Sequence, residues 1–331
     1  MKIGLVGYQS SGKTTLFEAL SGSFDRYEYS EKQRIHNVKV PDSRIDMLSS
    51  IFCPKKTIYA NIDFVDFPGF ITSQNNMNLD QNTIQKLKEL DGYLVVLDGF
   101  SLNREYKDDM ESFLSEIMLN DLVLLEQRLN SLKKANNLEG EYPVLKRIYE
   151  SLNNNIPVIE TGLTGNESET IRHYRFLSQK PCLFVVNSGK DEFPSSKSDS
   201  VFYINALLER EIRELPPEDQ EAFLRELGYE EPLANRVLRK IYSLLDLISF
   251  ITVGSDEVRA WTLKKGSNAL KAAYKIHSDI AKGFIRAEVI SYDDFSEYKS
   301  LPLARRAGRL RSEGKDYTVR DGDIIDFKFN I

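Results

Sequence analysis

The rhythm of apolar and polar positions changes twice along the chain. Over the first hundred residues, short apolar runs alternate with helix-like stretches. Ile3–Val6 is one run, followed by Thr14–Ser21 with Leu16, Phe17 and Leu20 on one side. Asn61–Asp66 alternates Ile62 and Phe64 with polar neighbours, and Tyr93–Leu97 is apolar throughout. Leu183–Val186 and Val201–Ile204 repeat that character later. Continuous apolar strands belong to sheets covered on both faces, and strands separated by helices predict a doubly wound, mostly parallel α/β sheet.

A second rhythm fills the stretch between Asp98 and Pro181. Met110, Phe113, Leu114, Ile117, Met118, Leu122, Leu125, Leu129 and Leu132 recur every three or four residues, one apolar stripe on a long helix. A turn at Asn136–Gly140 and a helix from Pro143 to Leu152 follow, so a helical hairpin inserted between two strands is expected. The stripe reads first as packing surface and only second as a partner-binding face. Ser195–Ser200 reads as a polar loop, and Pro216–Tyr242 is helical again. From about Ile248 the period falls to two. Arg286–Ile290 and Asp326–Ile331 alternate, and Asp321-Gly322-Asp323 marks a turn before the last strand. The expected organisation is an α/β domain at 1–100 and 181–247, a helical insertion at 101–180, and a small α+β domain at 248–331.

Composition narrows the class. With 331 residues, 41% hydrophobic and 28% charged, the chain is ordinary for a globular protein of two or three domains. It has no apolar run of about 18 residues, so no membrane span is expected. It opens directly on a strand, without the apolar stretch of a leader. Two cysteines, Cys53 and Cys182, suggest a reducing compartment, and a cytoplasmic protein is expected. The net charge of −6 leaves any nucleic-acid contact to a local basic patch.

The clearest chemistry lies at the end of the first strand. Gly7-Tyr8-Gln9-Ser10-Ser11-Gly12-Lys13-Thr14 fits the phosphate-loop pattern G-x-x-x-x-G-K-[ST]. The glycines let backbone N–H groups turn inward, and the following helix N-terminus adds its own donors. Gln9, Ser10, Ser11, Gly12, Lys13, Thr14 and Thr15 are therefore candidate contacts for the phosphates of ATP or GTP. Lys13 is expected at the β- and γ-phosphates, and Thr14 at Mg2+. Asp66 ends a strand and is followed by Phe67-Pro68-Gly69. In such sites the aspartate holds Mg2+ through water and the glycine N–H meets the γ-phosphate. A phosphate loop also serves small-molecule kinases, but no candidate base for an acceptor is found.

Several strings together resemble the YchF / Obg-like ATPase family of translation-factor-class GTPases. They are Val40-Pro41-Asp42-Ser43-Arg44-Ile45-Asp46, Glu221-Ala222-Phe223-Leu224, Val258-Arg259-Ala260-Trp261-Thr262 and Gly283-Phe284-Ile285-Arg286-Ala287-Glu288-Val289-Ile290. Ala307-Gly308-Arg309-Leu310-Arg311, Gly314-Lys315-Asp316-Tyr317 and Asp321-Gly322-Asp323 complete the set. The resemblance covers most of the chain. It implies a G domain, a helical insertion, a C-terminal TGS domain of β-grasp fold, and association with ribosomes.

The chain departs from that family at several points. Ser10-Ser11 stands where Asn-Val is usual. No threonine lies between Thr15 and Thr57, and Ser30 is the nearest substitute by spacing for the Mg2+-sensing residue. Phe70 follows Gly69 where other GTPases carry a water-orienting glutamine; here the chain resembles the family, which also uses a hydrophobic residue, and slow intrinsic hydrolysis is expected. Guanine selectivity needs a carboxylate at the end of Asn-Lys-x-Asp. Here Asn187-Ser188-Gly189 ends in Lys190, with Asp191 and Glu192 late, so ATP is expected to bind at least as well as GTP. Asn205-Ala206-Leu207 replaces the family's second base loop, Ser-Ala-Lys, and with Asn187 supplies the expected base contacts. A degenerate adaptor that binds nucleotide without turnover is the alternative.

Arg305, Arg306, Arg309, Arg311, Lys315 and Arg320 crowd a short segment. It reads either as a solvated face balanced by Glu313, Asp316 and Asp321, or, as the resemblance favours, as an RNA or ribosome contact. Trp261 and Tyr292 read as core residues before stacking platforms. His36, His173 and His277 show no metal spacing.

Overall fold

The computed structural model describes residues 1–22, 35–69, 72–73, 76–77, 79–101, 105–189 and 201–330. The chain begins with β1 (Lys2–Gly7), α1 (Lys13–Ser21), β2 (Ile35–Lys39), α2 (Ser43–Phe52), β3 (Lys56–Ile58) and β4 (Asn61–Asp66). The two-residue strands β5 (Thr72–Ser73) and β6 (Asn76–Met77), then α3 (Gln81–Lys88) and β7 (Gly92–Asp98), follow. Next come α4 (Tyr106–Lys134), α5 (Tyr142–Asn153), α6 (Gly165–Ile171), β8 (Cys182–Asn187) and β9 (Val201–Ile204). Helices α7 (Ala206–Glu214), α8 (Pro217–Glu226) and α9 (Leu233–Leu244) lead to β10 (Leu247–Val253), β11 (Glu257–Lys264), α10 (Ala269–Ile276) and α11 (Ser278–Lys282). The chain closes with β12 (Phe284–Ser291), α12 (Tyr292–Tyr298), α13 (Leu301–Arg306), β13 (Arg311–Glu313) and β14 (Asp323–Phe329).

Two units emerge. The first comprises residues 1–36 and 63–237, the second residues 37–62 and 238–331. One six-stranded sheet runs β2-β4-β1-β7-β8-β9. The pairings β4–β1, β1–β7, β7–β8 and β8–β9 are parallel. The apolar runs explain this: Tyr93, Leu94, Val95, Val96 and Leu97 are all buried, as strands covered on both faces must be. Chain order reverses direction at β1, so the crevice beyond its carboxyl end is where such folds bind ligands.

The α4 stripe divides its burial. Phe113 and Ile117 pack with Tyr93, Val95 and Phe184 of the sheet. Met118, Leu125, Leu129 and Leu132 pack against Val144, Leu145, Ile148 and Leu152 of α5. Packing surface is thus the main use of the stripe, leaving Leu119 and Val123 exposed. Asp121 interrupts it. Its buried carboxylate accepts from Leu177 N and Ser178 N, both at 2.8 Å, and from Ser178 Oγ at 2.7 Å. Burial raises its pKa to about 6 despite those donors.

The helical stretch expected over Pro216–Tyr242 is two helices, α8 and α9. The break falls at Gly228, whose φ is 75°, and just before Pro232. Glu209 of α7 is buried and caps α9, accepting from Leu233 N and Ala234 N at 3.0 Å each. The polar loop expected at Ser195–Ser200 lies outside the described residues.

The second unit is a β-grasp arrangement. Its sheet runs β13-β12-β14-β10-β11-β3. The β10–β11 hairpin is antiparallel, β10 and β14 are parallel at Ile251–Ile324, and β12 is antiparallel to β14. Ala269, Ala272 and Ala273 of α10 pack with Ile248, Phe250, Leu263, Val289 and Phe327. Small residues on the helix let it sit close to the aromatic layer. Trp261 packs against this core, its Nε1 donating to Thr252 Oγ1 at 2.9 Å. The sheet also takes β3 from far upstream, parallel to β11.

Candidate functional site

A cavity of about 750 Å³ opens beyond β1 and is lined entirely from the first unit. The chain turns into it at two glycines with positive φ: Gly7 at 153° and Gly12 at 88°. A Cβ on Gly7 would lie 2.4 Å from Val96 O, and one on Gly12 2.1 Å from Asn187 Nδ2, so neither position admits a side chain. Ser10 also has positive φ, 64°, a conformation that costs serine more than glycine or asparagine.

Helix α1 begins at Lys13 with Gly12 as its cap and no side-chain cap bond. Its first-turn N–H groups are therefore left to a ligand or water at the cavity wall. Lys13 Nζ donates to Gly7 O at 3.1 Å and Tyr8 O at 3.0 Å, folded back over its own loop. Burial pushes the ammonium below its ordinary pKa, with the Asp66 carboxylate opposing that shift. Gly69 closes the opposite side. A Cβ there would approach Gln9 Cα to 2.8 Å and Lys13 Nζ to 3.1 Å, so this contact needs bare backbone.

Asn187, at the end of β8, braces the loop. Its Nδ2 donates to Ser11 O at 3.1 Å, and its Oδ1 accepts from Ala206 N at 3.1 Å. Both ends of the amide hold neighbouring backbone. Asn205 caps α7, accepting from Leu208 N at 3.2 Å. The loop after β7 turns inward because buried Asp98 accepts from Phe100 N and Ser101 N, each at 3.0 Å.

Of the residues expected from sequence, Gln9, Ser10, Gly12, Lys13, Thr14, Thr15, Asp66, Gly69, Asn187, Asn205 and Leu207 line the cavity. Ser11 and Ala206 are buried behind its wall and serve through backbone atoms; Ser11 Oγ is buried with no hydrogen-bond partner. Ser30, Phe70, Lys190, Asp191 and Glu192 lie outside the described residues. Sequence reasoning passed over Phe67, Pro68, Phe100, Ser188 and Gly189, which also line it. Phe100 was findable, because Asp98-Gly99-Phe100 follows a buried strand at its carboxyl end. Among the described lining residues, Asp66 is the sole carboxylate.

Half of the basic stretch of the second unit is paired. Arg305 meets Glu288 at 2.8 Å, Arg309 meets Asp294 at 3.6 Å, and Arg311 meets Glu313 at 3.6 Å. Arg306, Lys315 and Arg320 are exposed.

The parallel sheet, its glycine-turned loop and the cavity at the strand ends define a P-loop protein of the GTPase fold. A family model described as a 50S ribosome-binding GTPase matches residues 2–128. The YchF-GTPase C-terminal model, described as a protein of unknown function, matches residues 247–330. The ribosome-binding ATPase YchF of Haemophilus ducreyi is 34% identical across 100% of this chain and 99% of its own length. That of Bacillus subtilis is 30% identical across 99% of each. The solved YchF GTPase of Schizosaccharomyces pombe superposes with a TM-score of 0.85 at 25% identity, covering 99% of this chain and 97% of that one. The chain belongs to the YchF family. No described helix is long and apolar enough to cross a membrane.

Proposed function

We propose that this chain binds a Mg2+–nucleoside triphosphate in the cavity beyond β1 and hydrolyses it slowly, as a switch acting on ribosomes. The observation that carries the reading is the uncapped α1 N-terminus opening into that cavity beside Lys13. Backbone N–H groups of residues 10–15 receive the phosphates, and Lys13 exchanges its two carbonyl partners for phosphate oxygens. The Gly69 N–H sits where a terminal phosphate is met.

The residues fit a magnesium ion. Thr14 and Asp66 supply hard oxygen donors in the same cavity, and no group of three acidic or thiol ligands competes among the described residues. When bound, Mg2+ neutralises charge developing on the transferred phosphoryl group. Thr14 and Asp66 orient it, while Gly69 keeps side chains away from the reacting end.

Base preference follows from the opposite end. Guanine selectivity needs a carboxylate acceptor at the end of Asn-Lys-x-Asp, and in the sequence Lys190 stands at that position. Asn187 is engaged at both ends of its amide by backbone. ATP is therefore bound at least as well as GTP. Turnover is slow because Phe70, after Gly69, has no group that orients water. The ribosome enters as partner through the names of the relatives, with the helical insertion and the TGS domain as docking elements. The cytoplasm is the matching location.

Calorimetry with ATP and GTP analogues in Mg2+ tests this. Binding of the ATP analogue, lost in Lys13→Ala while the fold persists, is expected. Retained binding in that variant, or a large preference for GTP, contradicts it.

A further inference from the structure

The sheet of the second unit has an opening inside it. β10 and β14 run parallel and meet at Ile251–Ile324. Two residues on, β10 ends at Val253, opposite Asp326 in that register, and the chain turns back into β11 at Glu257. β14 runs on to Phe329. Phe327, Lys328 and Phe329 therefore have β12 on one side and, among the described residues, no strand on the other. The result is a notch about 10 Å long, from three residues at about 3.3 Å each.

A cavity of about 360 Å³ occupies the notch, lined entirely from the second unit. Every residue from Ile324 to Phe329 lines it, as do Thr252 and Val253. Side chains alternate between the faces of a sheet, so consecutive residues share a cavity only along an edge. The cavity has an apolar floor on each face. Trp261, Ile276 and Ile280 line it from the face where they pack with Phe327. Ile290 and Ile324 are partners in the β12–β14 ladder and alternate with the core residues Val289 and Ile325, so they line it from the other face.

Backbone N–H and C=O groups along an open strand edge suit another extended chain. A strand laid there sends alternate side chains to the two apolar floors. Charge narrows the occupant further. Three carboxylates, Glu257, Glu288 and Asp326, line the cavity with two cations, Arg305 and Lys328. Both cations are engaged: Arg305 meets Glu288 at 2.8 Å, and Lys328 meets Asp326 at 2.5 Å. Glu257 has no ion pair among the described residues. Lys56 stands beside it in register on β3, and the Arg259 guanidinium is stacked over Trp261 at 3.9 Å. This lining favours a basic side chain and disfavours a phosphate backbone.

We propose that the notch binds an extended peptide segment of a partner protein as an added strand beside β14, with apolar side chains at alternate positions and a lysine or arginine that reaches Glu257. The site is separate from the cavity beyond β1 and does not depend on the nucleotide reading.

Blocked hexapeptides that alternate lysine with valine, leucine or phenylalanine serve as probes of the full chain, read by fluorescence anisotropy and hydrogen exchange. At least one is expected to bind and to slow exchange at 326–329. Glutamate in place of its lysines should weaken it about tenfold. Methylating one alternate set of its backbone nitrogens should abolish binding, while the other set is tolerated, because only one set faces β14. Glu257→Gln should narrow the preference for lysine and leave the melting temperature unchanged. No binding by any of the three at about 1 mM, the weak end of measurable association, overturns the proposal. Binding that leaves 326–329 unprotected does the same. Equal binding by both methylated sets overturns the strand pairing. An unchanged lysine preference in Glu257→Gln overturns the role of that carboxylate, and equal binding of lysine and glutamate probes to the wild type does so even if the variant fails to fold. Protection at 326–329 by single-stranded RNA, or by rising protein concentration without peptide, assigns the notch to nucleic acid or to a second copy and overturns the peptide.

Discussion

The phosphate loop and the C-terminal basic segment both looked like anion-binding regions in the sequence, and the structure treats them differently. At the loop, α1 starts without a side-chain cap and Lys13 is held only by two carbonyls of its own loop. These donors are oriented but uncommitted to any carboxylate hydrogen bond. In the basic segment, Arg305, Arg309 and Arg311 already face Glu288, Asp294 and Glu313. A crowd of like charges in sequence therefore says less about binding than a fixed set of donors aimed at space. The first is often balanced in the fold; the second has a cost unless something fills it.

Lys13→Ala breaks the comparison most severely. On the proposed reading it removes contacts to two phosphates, so affinity for a Mg2+–ATP analogue is expected to fall about a thousandfold, or about 4 kcal/mol, in calorimetry. The melting temperature of the free protein stays near that of the wild type.

Asp121 supplies a control, a buried charge whose donors are all internal. Its folded pKa, about 6, lies above the unfolded value of 3.8. The carboxylate is thus disfavoured by folding: the penalty is absent below about pH 4, grows through pH 6 and is complete above it. Asp121→Asn lacks this dependence. The stability of the wild type relative to Asp121→Asn should fall by about 3 kcal/mol between pH 4 and 7, from two pH units at about 1.4 kcal/mol each. Denaturant titrations at both pH values measure it, and nucleotide affinity should not change.

Asn187→Ala sharpens the picture inside the site. Losing the bonds to Ser11 O and Ala206 N loosens the loop, and affinity for ATP and GTP analogues alike should weaken about tenfold. A change confined to GTP would make Asn187 a base reader instead of a brace.

The smallest effects belong to the basic segment. If it contacts RNA, Arg306→Ala or Lys315→Ala should each lower the salt slope of RNA binding by about one. Arg305→Ala, whose charge Glu288 already meets, should change it less. Equal effects at paired and exposed positions would remove the distinction drawn here.

What the sequence made legible was local. The β1–loop–α1 signal sits within twenty residues, and both the glycine spacing and the buried strand are carried by adjacent positions. Asp66 and Asn187 could be placed because each ends a strand signal, alternating in the first case and continuously apolar in the second, which sets it at a strand's carboxyl end. The α4 stripe was legible for the same reason. What escaped was non-local. β3 is three residues long with no period of its own and exists because β11 offers an edge. Arg44 and Asp321 meet only through the second unit's fold. Phe100 is the local exception: Asp98, two residues earlier, bends the chain there, which hydrophobic patterning does not reveal although the position after a buried strand does point to it. In the basic segment, the partners Glu288 and Asp294 lie on earlier elements, so residues near it in sequence misjudged its charge balance.

The most direct measurement is a calorimetric titration of the full-length wild type with non-hydrolysable ATP and GTP analogues in Mg2+. One-to-one binding is expected, with ATP at least as tight as GTP, and no heat from either in Lys13→Ala. Neither analogue binding the wild type, or equal binding to wild type and Lys13→Ala, would contradict a phosphate site beyond β1.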